Sequence, residues 1–164
     1  MEESQIIKLI TKEGKEIEIT KDDAELSELL KQKINDSPDE EKFPINEVDE
    51  KMCERVKEYL THFNGKAPPE IEKPLKSNNL KNVTDEWSAN FMNRTPLEDV
   101  ISLNMAANYM GIKSLQDLCC AKIASCFKDK TEKEMMKEFR IKTPMTEEEK
   151  NKIREENKWL EINI

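Results

Sequence analysis

Apolar and polar residues alternate near the start of the chain. In QIIKLITKEGKEIEI the apolar positions recur in period two on both sides of a glycine, at Ile7, Leu9, Ile17 and Ile19. Because successive side chains of a strand point to opposite faces, this pattern predicts a hairpin of two short strands with one face toward water. KFPI predicts a third strand at a sheet edge, since Pro44 has no amide to donate to a ladder.

Farther along, the apolar spacing changes to three and four residues, which is typical of amphipathic helices. Thr20, with Asp23 three residues on, predicts a capped helix over residues 20–34. A second helix is predicted over residues 47–63, ended by the Asn64-Gly65 pair. The proline-rich segment 65–83 has few bulky apolar residues, and we expect a flexible insert without regular structure inside one domain.

The second half of the chain predicts helices only. TDEWSANFM predicts a short helix that carries Trp87 and Phe91 on one side, and a later helix is predicted over residues 114–127. Three helices have the same start signal, a threonine followed three residues later by a glutamate. These pairs are Thr95/Glu98, Thr131/Glu134 and Thr146/Glu149. Pro96 suits the first helical position, and Gly111 suits a left-handed helix end.

This order of elements predicts an α+β fold with helices dominant. No parallel alternation of strand and helix is visible, so a doubly wound nucleotide-binding sheet is not expected. The net charge of -8 disfavours nucleic acid and anionic membranes as partners. No apolar run approaches the roughly 20 residues that cross a bilayer and no secretory signal is visible, so we expect a soluble, intracellular protein.

Candidate chemistry is sparse. The only histidine is His62, and the four cysteines do not form a C-x-x-C pair, so neither a catalytic base nor a metal site is predicted. Of the adjacent Cys119 and Cys120, only one can face the core of a helix. Phosphate-binding glycine motifs and the calcium-loop spacing are missing from the sequence, and we expect no enzymatic activity, no metal and no cofactor. We therefore expect the protein to act by binding other proteins.

The final predicted helix has little of its own to bury. From Thr146 onward nearly every side chain is charged or an amide, and the apolar residues are few and widely spaced. A helix that is polar all round is stable only through caps, side-chain pairs or docking to another surface. The composition therefore indicates a segment that a second polypeptide contacts through a few apolar anchors.

AANYMGIKSLQDLCC, together with EGKEIEI, TDEWSANF and TEEEKNKIREENKW, resembles the Skp (S-phase kinase-associated protein) family almost from end to end. Members are the adaptor subunits of SCF ubiquitin ligases. The resemblance implies a BTB/POZ-type domain, a small sheet plus helices, over residues 4–127. It also implies a C-terminal helical extension over residues 128–164 that binds F-box proteins.

Site residues follow from the same resemblance. Asn108 and Tyr109 match the family's cullin-binding pair. Positions that match the family's F-box contact are Ile101, Gln116, Cys120, Ile123, Phe139, Ile141 and Trp159. Asn104 and Gln116 depart from the family pattern, which has apolar residues there, so a narrower set of F-box partners is expected.

The resemblance implies a non-catalytic adaptor that holds an F-box protein near a cullin, in the cytoplasm and nucleus. Apolar residues expected at the surface of the C-terminal segment also favour weak homodimerisation of the unpaired protein. Two alternatives stay open. One is an F-box-binding subunit of a non-ubiquitin assembly. The other is an elongin-C-like BTB adaptor, which is disfavoured because those proteins lack the segment after Phe127. An enzyme using His62 or Cys120 is the weakest hypothesis.

Overall fold

A computed structural model of the chain describes residues 5–140 and 145–158. Strands β1 (Ile6–Ile10) and β2 (Glu16–Thr20) pair antiparallel, with Leu9 opposite Ile17. Strand β3 (Lys42–Pro44) pairs parallel with β1, which gives the order β2-β1-β3. The predicted hairpin and the predicted edge strand are both confirmed.

The predicted helix 20–34 is two helices, α1 (Lys21–Ala24) and α2 (Glu28–Asp36). The capping box of Thr20 and Asp23 is confirmed, but the single helix is wrong. The chain breaks at Ser27, whose hydroxyl accepts the Leu30 amide and so caps α2 as a new helix. The same hydroxyl donates to the distant Met110 carbonyl, which holds the break in place.

Helix α3 (Glu50–Phe63) begins three residues later than predicted, because the Asp49 carboxylate caps it by accepting the Met52 amide at 2.8 Å. Its end is as predicted, with Asn64 in the left-handed conformation at φ 45°. Its apolar side packs into the core through residues that include Val56, Tyr59 and Leu60.

The insert has no helix or strand as far as residue 79, as predicted, and then forms a single 3₁₀ turn, Leu80–Asn82, which was not predicted. Leu80 is buried, and the partly buried Ile71 and Leu75 pack against the core. The bulky apolar residues of the insert, although few, are therefore its anchors. Its flexibility stays a prediction.

Helices α4 (Glu86–Asn93), α5 (Leu97–Tyr109) and α6 (Lys113–Phe127) complete this part of the fold. Trp87 and Phe91 stack on one side of α4, as predicted, with ring centroids 5.0 Å apart. The predicted Thr95/Glu98 cap is wrong, and so is Pro96 as the first helical residue. Pro96 is the N-cap of α5, while the buried Thr95 hydroxyl donates to the Phe91 carbonyl at 2.7 Å.

The chain divides into two compact units, Met1–Lys128 and Asp129–Ile164. The first unit holds the hydrophobic core, in which one face of the sheet and the apolar sides of α3 to α6 are buried. Gly111, at φ 66°, ends α5 in the left-handed conformation, as predicted.

The second unit contains α7 (Glu132–Glu138) and α8 (Glu147–Glu156). The predicted capping boxes at Thr131 and Thr146 both form. No residue of α8 is buried. Among the helices of the described ranges, none is long and apolar enough to span a membrane.

Candidate functional site

One side of helix α5 exposes apolar side chains to water. Its opposite side is buried through Val100, Leu103 and the two alanines. Ile101, Met105 and Asn108 follow one another at spacings of four and three residues, so they share the exposed face. Ile101 is 51% exposed and Met105 is 69% exposed. Large apolar side chains clustered in water mark a contact surface.

A shallow cleft of about 410 Å³ lies beside this face, and we call it the α5 cleft. Asn108 and Tyr109 both line it, as do Met105 of α5 and Met52 of α3. Tyr109 is half-buried and packs against the core, whereas Asn108 is exposed. The structure thus brings the predicted cullin-binding pair together at an accessible edge.

Met105 is a residue of this surface that the sequence analysis missed. It lies four residues after Ile101 and four before Tyr109, so helical spacing alone puts it on their face. The signal was present in the sequence, but the methionine looks like a core residue until the buried side of α5 is known.

Asn104 and Gln116, the two positions expected to depart from the family pattern, each have a partner within the chain. Gln116 Nε2 donates to Asn108 Oδ1 at 3.2 Å, and Cys120 Sγ lies 3.8 Å from Asn104 Oδ1. These contacts join α5 to α6. A residue expected on the cullin side therefore touches one expected on the F-box side.

Only one of the adjacent cysteines of α6 is in the core, as predicted. Cys119 is buried and Cys120 is exposed. Burial raises the pKa of the Cys119 thiol to about 12, so this side chain stays a neutral core residue. Ile123, one turn after Cys119, is partly buried against the core.

Fewer of the predicted residues can be placed on the second unit. Phe139 is half-buried at the end of α7. Ile141 and Trp159 lie outside the described residues. Met145 is 47% exposed and Ile153 is 45% exposed, so α8 and the residue before its cap present apolar side chains to water.

The histidine is part of an aromatic cluster on the surface. His62 stacks on Trp87 with ring centroids 3.7 Å apart and ring planes nearly parallel, and its edge meets the Phe63 ring. This is a packing role. Within residues 5–140 and 145–158, no group of three or more histidine, cysteine or acidic side chains is arranged to hold a metal ion.

Two family models match the chain. Residues 5–65 match the Skp1 family tetramerisation domain, and residues 113–160 match the Skp1 family dimerisation domain. A similar protein is the S-phase kinase-associated protein 1 homolog of Tetrahymena thermophila, 41% identical over 94% of this chain and 93% of the relative. The E3 ubiquitin ligase complex SCF subunit sconC of Arthroderma otae is 35% identical over 94% of both chains. Its namesake in Emericella nidulans is 34% identical over 96% of this chain and 97% of the relative.

Proposed function

The chain belongs to the Skp1 family, and from this we propose that it is a non-catalytic adaptor that joins an F-box protein to a cullin in an SCF-type E3 ubiquitin ligase. Relatives that match over nearly their whole length are named as subunits of that complex. The proposed sites of action are the cytoplasm and the nucleus, and the unpaired protein forms a weak homodimer.

The observation that carries the proposal is the state of helix α8. Its capping box is complete, yet none of its residues is buried and Ile153 is 45% exposed. A ten-residue helix that buries nothing is marginal in water, where most helical stability comes from packing of an apolar face. An F-box that covers this helix would supply the missing packing.

The proposed cullin contact is the α5 cleft with Asn108, Tyr109 and Met105. The surface combines an aromatic ring, an exposed methionine and an amide. Aromatic residues and methionine are enriched in protein interfaces, and such side chains often dominate the binding energy.

The proposed F-box contact has residues on both units. On the first unit they are Ile101, Gln116, Cys120 and Ile123; on the second they are Phe139, Ile141 and Trp159. Ile101 and Cys120 are exposed, while Gln116, Ile123 and Phe139 are half-buried. Half-buried apolar side chains support the proposal, because each keeps surface for a partner to cover.

The test uses the purified full chain with a cullin N-terminal domain and an F-box domain. Changing both Asn108→Lys and Tyr109→Lys should weaken cullin binding at least about 30-fold. F-box binding should change by no more than a few-fold, which allows for the Asn108 to Gln116 hydrogen bond. The matched control is Asn78→Lys with Asn90→Lys, which adds the same charge at two exposed asparagines.

Equal loss of both partners in the double variant would contradict the assignment of separate contacts. A wild-type chain that binds neither partner would overturn the adaptor function itself.

A second candidate is an F-box-binding subunit of an assembly without a cullin. Asn104 and Gln116 favour it, because polar side chains stand where the family has apolar ones. Binding of an F-box domain by the wild-type chain, without measurable cullin affinity, would support this candidate over the first.

A further inference from the structure

The α5 cleft carries negative charge on one side. Of the described residues that line it, only Glu47 and Asp49 are charged, and both are exposed. They lie on the segment that leads from β3 into α3. The opposite wall comes from α5 and is uncharged, with Met105, Asn108 and Tyr109. The cleft therefore combines an acidic wall with an apolar and aromatic one.

Both carboxylates have oxygen atoms available for a partner. Glu47 forms no ion pair through its side chain within residues 5–140 and 145–158. The Asp49 carboxylate caps α3 through Oδ1 alone, which accepts the Met52 amide at 2.8 Å. A second polypeptide can thus reach Glu47 and the other oxygen of Asp49 without breaking the helix cap.

Lysines of the surrounding segments do not neutralise these two acids. Three of them pair with other carboxylates, as Lys15–Glu50, Lys42–Glu16 and Lys51–Asp99. The Lys12 amide donates to the Val48 carbonyl at 3.0 Å, yet the Lys12 side chain forms no ion pair with either acid in the described part of the chain. The negative charge of this wall is therefore left for a partner to compensate.

The two walls together determine the chemistry of what binds. A long side chain with an apolar stem and a cationic head fits both walls. Its stem can cover Met105, which is 69% exposed, while its head reaches the carboxylates. An acidic or phosphorylated segment would be repelled. Because the α5 cleft is also the proposed cullin contact, the inference rests on the proposed function.

We propose that the cullin places a lysine or arginine over the α5 cleft, where its charged group pairs with Glu47 and Asp49 and its stem packs on Met105. Such a pair lies at an exposed rim, so it acts mainly on the association rate and on the choice of partner. Glu47 and Asp49 are then specificity-determining residues that select a basic partner surface.

The test removes both charges and keeps the helix cap. Glu47→Gln with Asp49→Asn preserves the side-chain sizes, and asparagine caps helices about as well as aspartate does. Binding of the full chain to an immobilised cullin N-terminal domain is followed by surface plasmon resonance at low and at high salt. At low salt the double variant should bind about tenfold more weakly, mainly through slower association. At high salt the difference should disappear, because salt screens exposed charges.

Asp85→Asn with Glu86→Gln is the matched control. Asp85 is the N-cap of α4, and its carboxylate accepts the Ser88 amide at 2.9 Å, as Asp49 accepts an amide of α3. Glu86 is exposed, and neither residue lines the α5 cleft. Both double variants lose the same charge, so a difference between them reports where the charges lie. The control should bind the cullin domain within about twofold of the wild type.

Two further measurements separate lost charge from lost structure. The affinity for an F-box domain should be the same in both double variants and in the wild type. Glu47→Gln alone leaves the α3 cap untouched and should weaken cullin binding about threefold at low salt. If the double variant also lost F-box binding, this single variant would decide.

Three results would overturn the proposal and leave the adaptor function in place. They are cullin binding by the double variant within about twofold of the wild type at low salt, an equal loss in the control, and a loss that persists at high salt. A wild-type chain that binds the F-box domain but no cullin would overturn both this proposal and the proposed cullin contact.

Discussion

Ser27→Ala tests how the break between α1 and α2 is held. Ser27 is fully buried and makes two side-chain hydrogen bonds. Its hydroxyl group accepts the Leu30 amide at 3.2 Å, which caps α2, and donates its proton to the Met110 carbonyl at 2.6 Å. Met110 is the C-cap of α5, directly after the proposed cullin-binding pair.

The loss of unfolding free energy in Ser27→Ala follows from these two hydrogen bonds. Loss of a serine N-cap destabilises a protein by about 1 kcal/mol, and here the Leu30 amide is left buried without its partner. The bond to Met110 adds about 1 kcal/mol and no more, because that carbonyl also accepts the Leu29 amide at 3.3 Å and is not left bare. The sum is about 2 kcal/mol, which lowers the melting temperature of a chain of this length by about 4–8 °C.

Thermal and urea unfolding of the full chain, followed by circular dichroism at 222 nm, measures the loss. Ser102→Ala is the matched control, an exposed serine of α5 whose hydroxyl lies 3.4 Å from the Glu98 carbonyl. The free energy of unfolding of this control should stay within about 0.5 kcal/mol of the wild-type value. If Ser27→Ala were as stable as this control, the two hydrogen bonds of Ser27 would not be what stabilises the break between α1 and α2.

Three further predictions follow from single groups. The Glu134 carboxylate accepts hydrogen bonds from the Thr131 amide and hydroxyl, and these bonds lower the pKa of Glu134 below its usual 4.5. The ionised carboxylate therefore stabilises α7 above pH 4.5, and this stabilisation is lost as the pH falls through the lowered pKa. The Thr131 amide resonance should titrate with a midpoint below 4.5, and a midpoint above 4.5 would contradict the cap. Iodoacetamide labelling, counted by mass spectrometry, should fall in Cys120→Ser but not in Cys119→Ser, because Cys120 is exposed and Cys119 is buried. An F-box domain should protect Cys120, and equal labelling of both variants would argue against this difference in exposure. Gly111→Ala should destabilise the chain by about 1–3 kcal/mol, because φ is +66° and the new Cβ would lie 2.9 Å from a side-chain carbon of α2. An unchanged urea midpoint would refute it.

Local patterns were sufficient to predict most of the elements. Period-two alternation identified the hairpin, and the threonine and glutamate pairs identified the starts of α7 and α8, because both signals act within a few residues along the chain. Asn64 and Gly111 marked helix ends for the same reason, since a left-handed conformation is a property of single residues.

Two of the errors occurred where a group that is distant in the chain takes part. Thr95 has the local signature of a cap, yet its hydroxyl bonds the Phe91 carbonyl and accepts from the Arg55 guanidinium of α3. Ser27 has no strong local signal, yet its bond to Met110, eighty-three positions away, splits a predicted helix in two. Neither Arg55 nor Met110 can be predicted as a partner from the residues near Thr95 or Ser27 in the chain.

The sequence by itself determined the fold class and the family, because hydrophobic periodicity, capping pairs and family motifs are properties of residues that lie close together in the chain. Only the tertiary structure decided which sides of α5 and α6 remain in water and that Asn108 touches Gln116. The reason is physical: exposure and hydrogen-bond satisfaction depend on which segments pack together, and packing joins residues that are far apart in the chain.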